Sequence, residues 1–314
     1  MDPDIASTDD AGMPAPSPVA VPPPLPWEVS WYPRIKNAIL LCLGALGVQF
    51  GFGFVVGALQ IEWKDGPWAL VLYLGSVVSM VVVLSVGRRK NTRALARNAS
   101  GRLGNAAAWA VVLVLPFGFC VLNSFLAELL MEVFPVARSI NSEMFGTSDE
   151  GGLAWGPFIV FCCFLIPVFE ELFFRGFLIG GLAGKYGQAK AVLVTTVLFA
   201  LIHLNPTQVV SAFILGLVLG VLVVKTCNVG FCIVFHMLYN SLVFFLPLLL
   251  EAGLARDRKS FFVLGTYSFD YLDVVALGCL VVGGLLLARL PQEKQVEEVA
   301  SADVAATDDP TIGP

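Results

Sequence analysis

Charge is what this sequence has least of. Only 14% of its 314 residues are charged while 57% are hydrophobic, and no soluble domain of that length could hide so much apolar surface in one core. A bilayer must therefore be the solvent. Basic stripes are also missing, which excludes nucleic acid as a partner. The seven cysteines suggest no disulfide framework, because Cys42, Cys120, Cys162, Cys163, Cys232 and Cys279 sit inside apolar runs and Cys227 lies near a boundary. Neither a positive n-region nor an early apolar stretch precedes Trp27, so the chain is expected to keep its acidic, Pro-rich start. No internal repeat is visible, which weakens the case for a transporter built from repeated halves.

What is present is a succession of apolar runs, each of about 17 to 25 residues and long enough to cross the hydrocarbon as a helix. Hydropathy and breakers place helices near 38–58, 67–86, 105–127, 155–182, 189–204, 208–225, 229–250 and 271–289. The expected fold class is thus all-α, a polytopic membrane helix bundle with about eight transmembrane helices. Residues 1–33 and 291–314 are expected to be disordered acidic tails around a membrane domain at 34–290, and they supply most of the net charge of −5. Between segments five and six the run His203-Leu-Asn-Pro-Thr ends one helix, and Pro206 forces a bend. The loop from Gly87 to Arg102 holds Arg88, Arg89, Lys90, Arg93, Arg97 and Arg102 without an acidic residue, which assigns it and both termini to the cytoplasm. Lys185, Lys190, Lys225 and Arg289 agree with that side, and the loop with Glu143, Asp149 and Glu150 falls on the other.

Ionisable side chains inside a span cost about 2.5 to 3.5 kcal/mol each on insertion scales, so they are rare and usually functional. Segment four carries three of them, Glu170, Glu171 and Arg175, amid aromatic and aliphatic residues. Both histidines of the protein, His203 and His236, also lie within or at the end of apolar segments. Glu171 and Arg175 are four apart and can pair, whereas Glu170 is turned about 100° away and is left free to act as a base. His236 and Asn240 share a face of segment seven, where an imidazole and an amide could serve one developing oxyanion. Phe199 and His203 repeat the spacing on segment five, and the ring could wall the site against lipid. The blander readings are structural glue for the Glu171–Arg175 pair and interhelical hydrogen bonding for a lone histidine. Asn205, Thr207 and Gln208 read as turn and cap residues, and Asn123 as a packing residue.

At these positions the sequence resembles the CPBP family, which includes type II CAAX prenyl endopeptidases and abortive-infection-like proteases. The family pattern has three parts, which stand here as Glu170-Glu171-Leu-Phe-Phe-Arg175, Phe199-Ala-Leu-Ile-His203 and His236-Met-Leu-Tyr-Asn240. The resemblance covers roughly 157–250. It implies a glutamic-type intramembrane endopeptidase acting on a membrane-bound protein or peptide, in which Glu170, helped by His203, activates water. His236 and Asn240 would then stabilise the oxyanion, with Glu171 and Arg175 holding the site in shape. No cofactor is implied.

Three alternatives stay open. Glu170, His203 and His236 could bind zinc with one position left for water, although no His-Glu-x-x-His stretch is present and Asn240 suits an oxyanion site better. Glu170 could instead relay protons in a transporter, or the protein could be a membrane scaffold without chemistry. The composition, rich in Ala, Val and Gly, points to a bacterial cell membrane.

Overall fold

Inside hydrocarbon a backbone can satisfy its own N–H and C=O groups only by winding into helices or closing a barrel, and this sequence shows helical run lengths. The structure, a computed structural model, describes residues 33–58, 75, 77–86, 103–134, 159–249, 262–264 and 267–292. Within them the helices are α1 (Ile35–Ala58), α2 (Val77–Val86), α3 (Ala106–Val133), α4 (160–186), α5 (Gln188–Leu201), α6 (Pro206–Thr226), α7 (Val229–Leu249) and α8 (Tyr271–Arg289). The protein is an all-α bundle and an integral membrane protein. Helices α3, α6, α7 and α8 are long and apolar enough to cross a bilayer by length and composition.

The spans expected from hydropathy fall on these helices, and 271–289 coincides with α8 at both ends. Residues 67–74, 76, 155–158 and 250 of three expected spans lie outside the described residues, as do the tails to residue 32 and from 293, the basic loop 87–102 and the acidic loop. Hydropathy does not announce one small addition, an antiparallel hairpin of β1 (Phe262–Leu264) and β2 (Tyr267–Phe269) that pairs Val263 with Ser268. Asp270 follows it and starts α8 through a capping box with Asp273.

Helix packing relies on small residues, as is usual where lipid offers no hydrophobic drive between helices. A Cβ at Gly118 of α3 would lie 2.8 Å from the Ala276 carbonyl oxygen, and one at Gly283 of α8 would lie 2.8 Å from Leu115 Cδ1. These two helices therefore touch backbone to backbone. The outward side of α8 shows Val274, Leu277, Val281 and Leu285, all exposed, as a lipid-facing surface should be. At one end of the bundle Lys225 Nζ donates to the carbonyls of Ala288 and Leu290 at 2.8 and 2.9 Å, and Gln292 bonds Gln188 across to α5. Lys185 and Lys190 flank Tyr186 at that same end. Among the described residues, Lys185, Lys190 and Lys225 thus lie toward one end of the bundle.

Candidate active site

Helix α4 leaves the α-helical register twice. Residues Val160–Leu165 and Leu172–Leu178 are wound as π-helix and frame the short α-helical stretch Ile166–Glu171. Near the first segment the Ile166 N–H reaches the Phe161 carbonyl, five residues back, and Pro167 has no N–H with which to restore the tighter register. Near the second, the Ile179 N–H reaches the Phe174 carbonyl, again five back. Phe173, Phe174 and Phe177 are fully buried there, with Phe173 edge-on to Phe174 at 4.9 Å. Wide turns of this kind often mark functional sites, and here they bracket the two glutamates.

Both carboxylates are buried but in different ways: Glu171 is 0% exposed and Glu170 keeps 8%. Glu171 Oε1 receives two donors, Arg175 Nη1 at 2.8 Å and His236 Nδ1 at 2.9 Å. Arg175 Nη2 donates on to the Gly216 carbonyl of α6 at 3.3 Å, and its guanidinium lies 4.4 Å from the centre of the Phe199 ring. Because the carboxylate oxygen can only accept, Nδ1 of His236 carries the proton. The far nitrogen, Nε2, then stands 3.9 Å from Glu170 Oε2. Glu170 is the more accessible carboxylate, and the imidazole beside it comes from α7, whose hydrogen bond to Glu171 fixes its rotation.

His203 sits just past the end of α5, in a turn where Leu204 adopts φ +58° and Asn205 caps α6 by accepting from Thr207. Its Nδ1 donates to the Phe199 carbonyl at 2.8 Å, so the ring folds back along its own helix and presents Nε2 outward. Phe199 connects it to the cluster. The Phe199 ring is edge-on to His203 at 5.0 Å and to His236 at 5.9 Å, so one apolar ring touches both imidazoles. Since α5 has 14 residues and spans only about 21 Å, it stops short of a hydrocarbon core about 30 Å thick.

Asn240 faces α4 from one turn beyond His236, and its Nδ2 donates to the Cys162 carbonyl at 2.8 Å. Residue patterns did not disclose that carbonyl, nor Gly216. A Cβ at Gly216 would come within 3.2 Å of Phe199 and 3.4 Å of Arg175 Nη2, so the glycine leaves room for the guanidinium to reach the α6 backbone. The signal for it was a glycine inside an apolar helix. A small crevice between α3, α6 and α7 is lined by Asn123, Ser211 and Tyr239 with apolar walls. Ser211 Oγ donates to Asn123 Oδ1 there, in keeping with a packing role for Asn123.

Among the described residues no group of three or more His, Cys, Asp or Glu side chains is placed to hold a metal ion. The seven cysteines are free. What remains is a membrane helix bundle with a carboxylate and an imidazole face to face in its interior, and a second carboxylate and a guanidinium behind them. Residues 152–242 match the family model Type II CAAX prenyl endopeptidase Rce1-like, which is the family that the three motifs resemble, and all three lie within the matched stretch. Over that stretch, which is less than half of the chain, the protein is similar to a membrane-protease domain. No curated protein and no solved structure matches the chain.

Proposed function

We propose that the protein is an intramembrane endopeptidase of the glutamic type, cleaving a peptide bond of a membrane-associated substrate, with prenylated CAAX-type C-termini as the class suggested by the family description. The observation that carries this reading is the facing pair Glu170 Oε2 and His236 Nε2, 3.9 Å apart. A water molecule can hydrogen-bond to both at ordinary distances of about 2.8 Å. Glu170 takes the proton as the water oxygen attacks the scissile carbonyl, and later returns it to the leaving amine. His203, with Nε2 free of its own helix, assists that proton transfer.

Charge balance supports the division of roles. Glu170, Glu171 and Arg175 sum to −1, and a protonated His236 brings the group to zero. In that state Nε2–H is a donor, and together with an Asn240 N–H it stabilises the oxyanion of the tetrahedral intermediate. Glu171 and Arg175 touch no reacting atom in this scheme. They hold His236 at the angle it needs.

The test uses the full chain in nanodiscs with an internally quenched, farnesylated peptide as probe. Glu170→Gln keeps the shape and removes the base, and it is expected to lower kcat by about 10²- to 10⁴-fold with thermal stability retained. Cleavage at an undiminished rate by this variant ends the proposal. Proton-coupled flux in proteoliposomes without cleavage by the native protein would replace it with a transporter.

A further inference from the structure

We infer that Pro167 is a positioning residue for the site: by having no N–H it vacates the Cys162 carbonyl, which seats Asn240 and so ties α7 to α4 beside Glu170. The inference rests on the proposed peptidase reading for its kinetic consequence, and on geometry alone for the tie itself.

The register of α4 leads to it directly. Ile166 bonds five residues back, to Phe161, so it does not occupy the Cys162 carbonyl. In that register the next amide, at 167, would take Cys162, and residue 167 is proline. Cys162 is half-buried, and a carbonyl left there without its helical donor is costly and calls for a side-chain partner. Asn240 provides one, its Nδ2 donating at 2.8 Å across 78 residues of chain. A primary amide is planar with two N–H groups, so committing one of them fixes the direction of the other. Pro167 lies one turn before Glu170 and Glu171, and Asn240 one turn after His236. The bond therefore clamps the two helices next to the Glu171–His236 contact, and the two ties together set the separation of Glu170 from His236.

An alanine at 167 would supply the N–H and let the helix claim its own carbonyl. Pro167→Ala, Asn240→Ala and the double variant form the test, with full-length protein in nanodiscs and the internally quenched farnesylated peptide as probe. Pro167→Ala is expected to lower kcat about tenfold with KM unchanged, and Asn240→Ala is expected to cost at least tenfold less in the Pro167→Ala background than in the native one. An equal cost in both backgrounds overturns the inference. A backbone ester at 167, made by incorporating lactic acid, lacks both the ring and the N–H and should restore native kcat; activity no better than Pro167→Ala also overturns it. If the native protein cleaves nothing, the peptidase reading fails by itself, and the same four proteins still decide the tie by thermal unfolding. Non-additive losses in Tm support it, and additive losses overturn it.

Discussion

Glu171 and His236 share a hydrogen bond of 2.9 Å in which the imidazole Nδ1 donates to Oε1, the oxygen that also receives Arg175. This contact joins two helices through fully buried polar atoms and decides which imidazole nitrogen faces Glu170. Two partners from two helices therefore meet at the Glu171 carboxylate, whereas Glu170 keeps the greater exposure of the two.

Glu171→Ala and Glu170→Gln should therefore separate. Removing Glu171 breaks its buried pair with Arg175, a change that costs about 3 to 5 kcal/mol. The expected outcome is a large fall in Tm together with loss of cleavage, whereas Glu170→Gln keeps its Tm. Thermal unfolding in detergent, read by intrinsic fluorescence, checks both.

Gly216→Ala tests the approach of Arg175 to α6. The added methyl group meets Phe199 and Thr196 at 3.2 and 3.3 Å and crowds the guanidinium at 3.4 Å. Overpacking of this size costs about 1 to 3 kcal/mol, and displacement of Arg175 should loosen His236 as well. Lower Tm with a reduced kcat per folded molecule is expected. Native kcat would show that Arg175 can do without its α6 carbonyl.

Gly118→Ala is the control that stability and chemistry can be told apart. Its Cβ would press on the Ala276 carbonyl, backbone against side chain, on the side of α3 that packs against α8. The helices must part for it to fit. Stability should drop while the peptidase rate of the folded fraction, measured at low temperature, stays near native.

Chelation addresses the zinc alternative. Among the described residues no group of three or more His, Cys, Asp or Glu side chains is placed to hold a metal ion, so incubation with 1,10-phenanthroline is expected to leave the rate of peptide cleavage unchanged. Inhibition reversed by added zinc would transfer the chemistry to a metal.

The parts of the site that could be read from the residues are those where a costly group stands out against its surroundings. Glu170, Glu171, Arg175, His203 and His236 were visible because charge in an apolar run has no bland explanation at that density. Helix ends such as those of α8 were legible for a related reason, the change from lipid-soluble to polar residues. The π-helical turns of α4 were not, since they depend on Pro167 and on the burial of Phe173, Phe174 and Phe177, which no periodicity encodes. Nor could spacing show that the imidazole within 3.9 Å of Glu170 belongs to His236. That depends on how α7 meets α4, a tertiary fact carried by Glu171 and by a backbone carbonyl.

The ion pair that seals the site also constrains how the chain is made. Helix α4 carries two carboxylates and one guanidinium at the site, and the imidazole that donates to Glu171 lies 65 residues further along. At about 5 to 20 residues per second of synthesis, α4 must wait roughly 3 to 13 seconds for that ring to emerge. During that interval Glu171 has Arg175 beside it but not His236, so the tie between α4 and α7 forms only after α7 has followed.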